Sequence, residues 1–429
     1  MSYYKIKGGN KLEGMISISG AKNAAVALIP AAILCGQKCT LLNVPNIEDV
    51  RILVELLKSI GAKINFDEDH GAMEIDPVGI HSHVLTCDLM RSLRASYYFL
   101  GALYGKYGYA KIALPGGCAI GQRPIDIHIE GLRTLGAEVN LKNDVLEAKS
   151  KGVHFFSGEI NLPVKSVGAT INIMLAASTI KTGVAVITNP AKEPHIVDVA
   201  NFLNAMGADV QGAGTDRITI KPAREWHGCT YEIIPDQIET GTYMIAAAAT
   251  GGNVTLRNVI PKHMEALTQV LRECGATVEE KTDGKCDYIT VSASKRLSAT
   301  DIRTAPYPGF PTDLQQPMAA LLSVATGTSM INETIFESRF MYTKQLELMG
   351  ADIKVSNDNK TAVIHGVEKL FGTDVSITDL RAGAALVVAA LVAEGETNVH
   401  KIHYLDRGYE LLEKKLKSLG AQIERIEEG

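Results

Sequence analysis

The residues best suited to chemistry lie where an otherwise regular chain turns irregular. Cys118 sits in Leu114-Pro115-Gly116-Gly117-Cys118-Ala119-Ile120-Gly121-Gln122-Arg123-Pro124, a thiol among glycines, five residues before an arginine. A nearby guanidinium lowers a thiol pKa and raises its reactivity. The plain alternative is an ordinary free cysteine, disfavoured by the glycines and by the Arg-Pro-Ile-Asp-Ile-His run that follows. Ser19-Gly20-Ala21-Lys22-Asn23-Ala24-Ala25 places Lys22 at a glycine-led helix start, where the helix N-terminus and a cation together suit an anion. A simply solvated lysine is the alternative there. The proline-rich excursion from Thr304 to Pro311 ends at Asp313, either a functional acid or the cap of the following helix. Glu337-Ser338-Arg339, Asp379-Leu380-Arg381 and Asp406-Arg407 each set an arginine beside an acid. Such pairs are either weak surface ion pairs or cations converging on one multiply charged anion.

The rest of the chain must position these groups. Its 429 residues suit two large domains, and with 46% hydrophobic and 21% charged residues it has ordinary globular composition. A net charge of −5 argues against a general nucleic-acid or anionic-membrane surface, so any positive site must be local. The longest apolar runs, Ala24–Cys35 and Ala382–Ala393, hold 12 residues each, short of the ~18–20 that span a bilayer. The opening MSYYKIKGGNKLEG has no apolar core of a signal peptide, and the seven cysteines show no CxxC spacing. The expectation is a cytoplasmic protein with reduced thiols, most of them buried, and with no metal site.

An internal repeat sets the architecture. LKSIGAKI, LRTLGAEV, LNAMGADV, LRECGATV, LELMGADI and LKSLGAQI share one pattern, their glycines at 61, 136, 207, 275, 350 and 420. Each reads as a helix ended by a left-handed glycine, followed by a strand. The helix face shows before the first copy, where Val50, Leu53, Leu57 and Ile60 keep spacings of three and four. Each copy follows an Ala/Leu-rich stretch, a glycine turn at 36, 108, 183, 252, 327 or 395, and a β-rich run. One unit is therefore about 70 residues with two helices and several strands. Six such units stack as an open solenoid or close as two domains of three. Their size favours two α/β domains of roughly 210 residues with a cleft between them, divided near Glu225–Thr230.

The stretches SGAKNA, RAS at Arg94, PGGCAIGQRPIDIH, SVGATINIM, GAGTDRI, PDQIETGT, PGFPTDLQ, ETIFESRF, TDLRAGA and DRGYE, spread over essentially the whole chain, closely resemble the enolpyruvyl transferase family. The resemblance implies two inside-out α/β barrel-like domains, each of three βαβαββ units, with the active site in the interdomain cleft. It implies domains of residues 1–20 plus 230–429 and of residues 21–229, the N-terminal strand joining the C-terminal half. The implied reaction moves the enolpyruvyl group of phosphoenolpyruvate to the 3′-hydroxyl of UDP-N-acetylglucosamine, releases phosphate and opens peptidoglycan synthesis. Lys22, Asn23, Arg123 and Arg407 would bind phosphoenolpyruvate, with Arg339 and Arg381 assisting. Cys118 would donate the proton and accept a covalent phosphoenolpyruvate or fosfomycin adduct. Arg94, Arg123, Pro124, Ile125, Asp126, Ile127, Asp313 and Ile335 would contact the UDP-sugar, with His128, Ser166, Val167 and Gly168 nearby. Asp313 would take the hydroxyl proton, and Asp379 would be a further acid. No cofactor, metal, nucleic acid, membrane or obligatory protein partner is implied. The shikimate-pathway sibling lacks the cysteine loop, and a repeat-built binding protein without catalysis would not need Lys22, Cys118, Asp313 and Arg407 intact. Lys165 is given no role.

Overall fold

The computed structural model describes residues 2–114, 125–152, 155–282, 284 and 286–427. They form two compact units: the start of the chain to Ser19 with everything from Pro235 onward, and the described residues from Gly20 to Ile234. Each unit has its own apolar core and three four-stranded sheets.

The helices are of two kinds, and their sequences say why. Val167–Ala177, Gln237–Ala249 and Leu380–Val392 are mostly apolar, carry no exposed polar face and are buried on nearly every side. A helix without a polar face belongs inside. In the unit holding the C-terminal half, Gln237–Ala249, Thr312–Leu322 and Leu380–Val392 pack against one another. In the other unit Tyr98–Tyr107 packs against both Lys22–Ala31 and Val167–Ala177. The second helix of each repeat is amphipathic. Glu48–Ser59 buries Val50, Leu53, Val54, Leu56 and Leu57 and, apart from the buried Asp49, leaves its charged residues outside. All six repeat glycines, from Gly61 (φ 109°) to Gly420 (φ 95°), take the left-handed conformation that ends the helix. Five of the six earlier turn glycines do the same; in the fourth repeat Gly251, not Gly252, carries the positive φ.

Every sheet has one topology. Phe155–Asn161 runs parallel to Thr182–Thr188, which pairs antiparallel with Arg217–Lys221 and that with Asp209–Gln211. The parallel pair needs a crossover, and the buried helix supplies it. Three sheets borrow a strand from far along the chain. Ser2–Lys7 pairs with Glu396–His400 and Gln422–Glu427, filling the last repeat. Glu13–Ser17 runs parallel to Asn253–Arg257, and Thr230–Glu232 parallel to Cys39–Leu42. In the other four sheets the opening strand leads on to its own repeat's helix. These last two instead lead into helices of the other unit, Lys22–Ala31 and Gln237–Ala249. The boundaries differ from the sequence reading accordingly. The chain crosses at 19–20 and 234–235, not at 20–21 and 229–230, because Thr230–Glu232 completes the Cys39–Leu42 sheet and Ile233 belongs to that unit's core. Among the described residues no helix is long and apolar enough to cross a membrane.

Candidate active site

In the unit holding the C-terminal half, the excursion that ends at Asp313 leads into the buried helix Thr312–Leu322. The helix cap is Pro311, which offers no side-chain bond, so Asp313 lies inside the first turn and is not the N-cap. Its carboxylate gathers two arginines instead. Arg339 Nη2 donates to Oδ1 at 2.7 Å, and Arg381 Nε donates to Oδ2 at 3.2 Å. Both guanidiniums are nearly enclosed, the Arg339 side chain 3% exposed and that of Arg381 6%, whereas Asp313 keeps 27%. Each also lies over an aromatic ring, Arg339 over Phe336 and Arg381 over Tyr409. Burial works against the charge of Arg381, but Tyr409, Asp313 and Asp236 outweigh it and hold the guanidinium protonated. Neither arginine pairs with the acid beside it in sequence in the way their adjacency suggests.

Asp379 and Glu333 are the scaffolding of this group. Asp379 Oδ1 caps Leu380–Val392 by accepting from the Arg381 and Ala382 N–H groups at 3.0 and 3.1 Å. Its other oxygen accepts from Gln316 Nε2 at 3.3 Å, tying two buried helices together. Glu333, buried and not foreseen from sequence, accepts from the N–H groups of Ile335 and Phe336 and from the Thr312 hydroxyl. It thereby fixes the loop that carries Arg339 to the helix that carries Asp313. Ile335 stands out of this loop, 37% exposed. Arg407, half-buried, follows the short helix His403–Asp406, and Asp406 pairs with Arg425.

In the other unit Lys22 is the first residue of Lys22–Ala31, with Asn23 next, both partly buried. Lys22 Nζ is 2.8 Å from Asp49, whose side chain is 1% exposed in the first turn of Glu48–Ser59. The lysine is therefore held, not simply solvated. Nothing around Asp49 in sequence marks it.

A second polar group of this unit surrounds His128. Asn172 Oδ1 accepts from the Gly101 N–H at 2.8 Å, which turns the amide nitrogen toward His128 Nδ1, 2.9 Å away. Nδ1 must then accept, so the proton of the neutral ring sits on Nε2. Burial, with Arg94 adding to it, pushes His128 down to about 4. Tyr97 meets the ring edge-on at 5.1 Å between centroids. Gly168 permits this packing, since a Cβ there would lie 2.5 Å from the Tyr97 hydroxyl and 3.0 Å from His128. Ser166 caps Val167–Ala177 by accepting from the Ala169 N–H at 3.3 Å, and Val167 opens that helix. Arg94, Tyr97, His128, Ser166 and Gly168 thus share one locality. Asp126 is exposed at the start of Asp126–Thr134, Ile127 is buried behind it, and Ile125 is the cap residue. Lys165 is exposed.

Cys118, Arg123 and Pro124 lie outside the described residues. Of the six described cysteines only Cys35, Cys39 and Cys274 are buried; Cys87 is exposed, and Cys229 and Cys286 are intermediate. The expectation that most are buried thus holds for half of them. Among the described residues no group of three or more His, Cys, Asp or Glu has the arrangement of a metal site.

Comparison with known proteins agrees with this architecture. A family model described as EPSP synthase (3-phosphoshikimate 1-carboxyvinyltransferase) matches residues 6–416. The chain is 50% identical over 427 residues to a UDP-N-acetylglucosamine 1-carboxyvinyltransferase of Clostridium botulinum, covering 99% of this chain and 100% of the relative. It is 48% identical over 425 residues to UDP-N-acetylglucosamine 1-carboxyvinyltransferase 2 of Bacillus subtilis, covering 99% and 97%. Among solved structures, the enolpyruvyl transferase NikO from Streptomyces tendae superposes with a TM-score of 0.88 at 24% identity, covering 100% of this chain and 99% of the other. An EPSP synthase from Acinetobacter baumannii gives 0.76 at 18%, covering 100% of both chains. Those two likenesses concern the fold alone. Matched along nearly its whole length, the chain belongs to the EPSP synthase family of enolpyruvyl transferases, and within it stands with the UDP-N-acetylglucosamine 1-carboxyvinyltransferases.

Proposed function

We propose that this protein transfers the enolpyruvyl group of phosphoenolpyruvate to the 3′-hydroxyl of UDP-N-acetylglucosamine and releases phosphate, the first committed step of peptidoglycan synthesis. The reading rests on near-half identity, over the full chain, to relatives named for that acceptor. The family model alone carries the name of the shikimate sibling, so these relatives decide the acceptor. They equally disfavour a binding protein without catalysis.

The reaction is an addition followed by an elimination. The sugar oxygen bonds to C2 of phosphoenolpyruvate, the double bond opens, and C3 takes a proton. The C2–O bond to phosphate then breaks, C3 gives a proton back and the double bond re-forms. The first step needs a base at the hydroxyl and an acid at C3 acting together. Asp313 suits the base: it is the partly exposed member of a group whose other two members are enclosed arginines. Cys118 is assigned the acid at C3 and the covalent adduct. Phosphoenolpyruvate carries about three negative charges, which calls for clustered cations in a chain of net charge −5. Lys22, Asn23, Arg123 and Arg407 are assigned to it, with Arg339 and Arg381 assisting and Asp379 ordering the helix start behind them. Arg94, Arg123, Pro124, Ile125, Asp126, Ile127, Asp313 and Ile335 are assigned to the UDP-sugar, with His128 and Ser166 to Gly168 as their support. Both substrates are small molecules. We place the enzyme in the cytoplasm without an obligatory protein partner.

The test is a proton NMR spectrum of the product made in deuterated water. Addition and elimination through a C3 methyl predict deuterium in the vinyl group of the product sugar. A product whose vinyl positions stay fully protonated refutes the acid-at-C3 step.

A further inference from the structure

Three thiols outside this chemistry meet at one end of the sheet formed by Thr230–Glu232, Cys39–Leu42, Ala72–Asp76 and Lys63–Asp67. Cys35 Sγ lies 3.4 Å from Cys39 Sγ, and Cys229 directly precedes the strand Thr230–Glu232 that pairs with the strand Cys39 opens. Thr230 stands opposite Thr40 on parallel strands, and Cys229 and Cys39 are the residues directly before that pair. The Thr40 N–H donates to the Cys229 carbonyl at 2.8 Å, which holds the two segments together there. Neighbouring strands lie ~4.8 Å apart, inside the ~4.4–6.8 Å Cα separation a disulfide spans. Access differs among the three: Cys35 and Cys39 are buried, while Cys229 is partly open to solvent. The hydrogen bond from Cys39 draws the Cys229 thiol below its ordinary range despite burial. The separate contact between Cys35 and Cys39, together with burial, holds the Cys35 thiol well above it. The group therefore has one reachable thiol inclined to ionise, with a buried cysteine on the strand paired with its own.

We propose that Cys229 and Cys39 are a redox pair, oxidised by peroxides to a reversible disulfide. The Cys229 thiolate attacks a peroxide oxygen; an S–O bond forms, the O–O bond breaks, and the leaving oxygen departs as water after taking a proton. Cys39 sulfur then attacks Cys229 sulfur; the S–S bond forms, the S–O bond breaks, and the Cys39 proton leaves with that oxygen as a second water. Two thiols are oxidised, one peroxide is reduced, and a dithiol reductant reverses the change by exchange. The bond would staple the borrowed strand Thr230–Glu232, from which the chain leaves this unit at 234–235, to the interior strand of its sheet.

The experiment treats the full protein with one equivalent of hydrogen peroxide, alkylates remaining thiols and maps tryptic peptides without reduction. Lys38 separates Cys35 from Cys39, and Arg224 precedes the Cys229 peptide, so each linkage is distinct. The expected result is a peptide joining Cys39 to Cys229, ~2 Da lighter than its two thiol halves and lost on adding dithiothreitol. The link should persist in Cys35→Ser and vanish in Cys229→Ser, a substitution at a partly exposed site. A Cys35–Cys39 link alone, a sulfinic acid on Cys229 with Cys39 still alkylated, or oxidation of Cys87 and Cys286 with all three thiols intact overturns the proposal.

Discussion

Asp313→Asn keeps the size of the side chain and one acceptor while removing the charge and the base. The structure sets two separate costs. For turnover, loss of a positioned base removes ~10²–10⁴-fold, which at about 1.4 kcal/mol per decade is about 3–5 kcal/mol of barrier. For folding, Arg339 and Arg381 each lose an ionic partner, and breaking a buried pair costs ~3–5 kcal/mol. Asp313 is 27% exposed, and Tyr409 and Asp236 still face Arg381, so about 2–3 kcal/mol is the better figure. In a unit of this size that lowers the melting temperature by roughly 5–10 °C and leaves the protein folded at 25 °C. Turnover is measured as phosphate release at saturating substrates, and UDP-N-acetylglucosamine affinity by calorimetry. The expected pattern is turnover down at least ~10²-fold with nucleotide affinity changed less than ~3-fold. Turnover within ~3-fold of the parent would refute the assignment and reduce Asp313 to an anchor for two arginines.

Three further outcomes follow from single contacts. Asp49→Asn loosens Lys22, whose ordering is worth up to ~2 kcal/mol of rotamer freedom, so KM for phosphoenolpyruvate should rise ~10-fold with UDP-sugar affinity unchanged; an unchanged KM rejects the positioning role. Burial pushes Asp198 up from 3.8 to about 6 although Tyr231 and the Ile234 N–H donate to it. Its contribution to stability is therefore full below pH 3.8 and lost as pH rises through about 6. Urea unfolding should show Asp198→Asn gaining about 2 kcal/mol on the parent between pH 4.5 and 7.5; a pH-independent gap contradicts this. His128 has the opposite sign: lowered from 6.5 to about 4, its contribution is full above 6.5 and lost as pH falls through that window. Its ring protons should titrate near pH 4 by NMR, and an ordinary midpoint near 6.5 would show that the ring is hydrated.

What the chain displays locally is what sequence reading recovers. The six left-handed glycines and the Ala/Leu-rich helices leave their marks within a few residues, and both stand in the structure as their patterns require. The borrowed strands leave none. Ser2–Lys7, Glu13–Ser17 and Thr230–Glu232 are short strands whose partners lie hundreds of residues away or in the middle of another repeat, and no spacing rule connects them. That is why the polar stretch before Thr230 suggests a boundary five residues too early. The site divides along the same line. Lys22, Asp313 and the arginines are conspicuous because they interrupt the repeat. Asp49, Glu333 and Asn172 sit at ordinary helix and loop positions, and only tertiary packing brings them against Lys22, the Arg339 loop and His128. Arginines adjacent to acids misled in one respect: Arg339 and Arg381 reach Asp313 from 26 and 68 residues away.

The most direct test of the whole account is phosphate release from phosphoenolpyruvate by the purified protein, with each acceptor supplied in turn. UDP-N-acetylglucosamine should drive stoichiometric release, and shikimate 3-phosphate should leave the rate at its background. Release driven by shikimate 3-phosphate alone, or by neither acceptor, would contradict it.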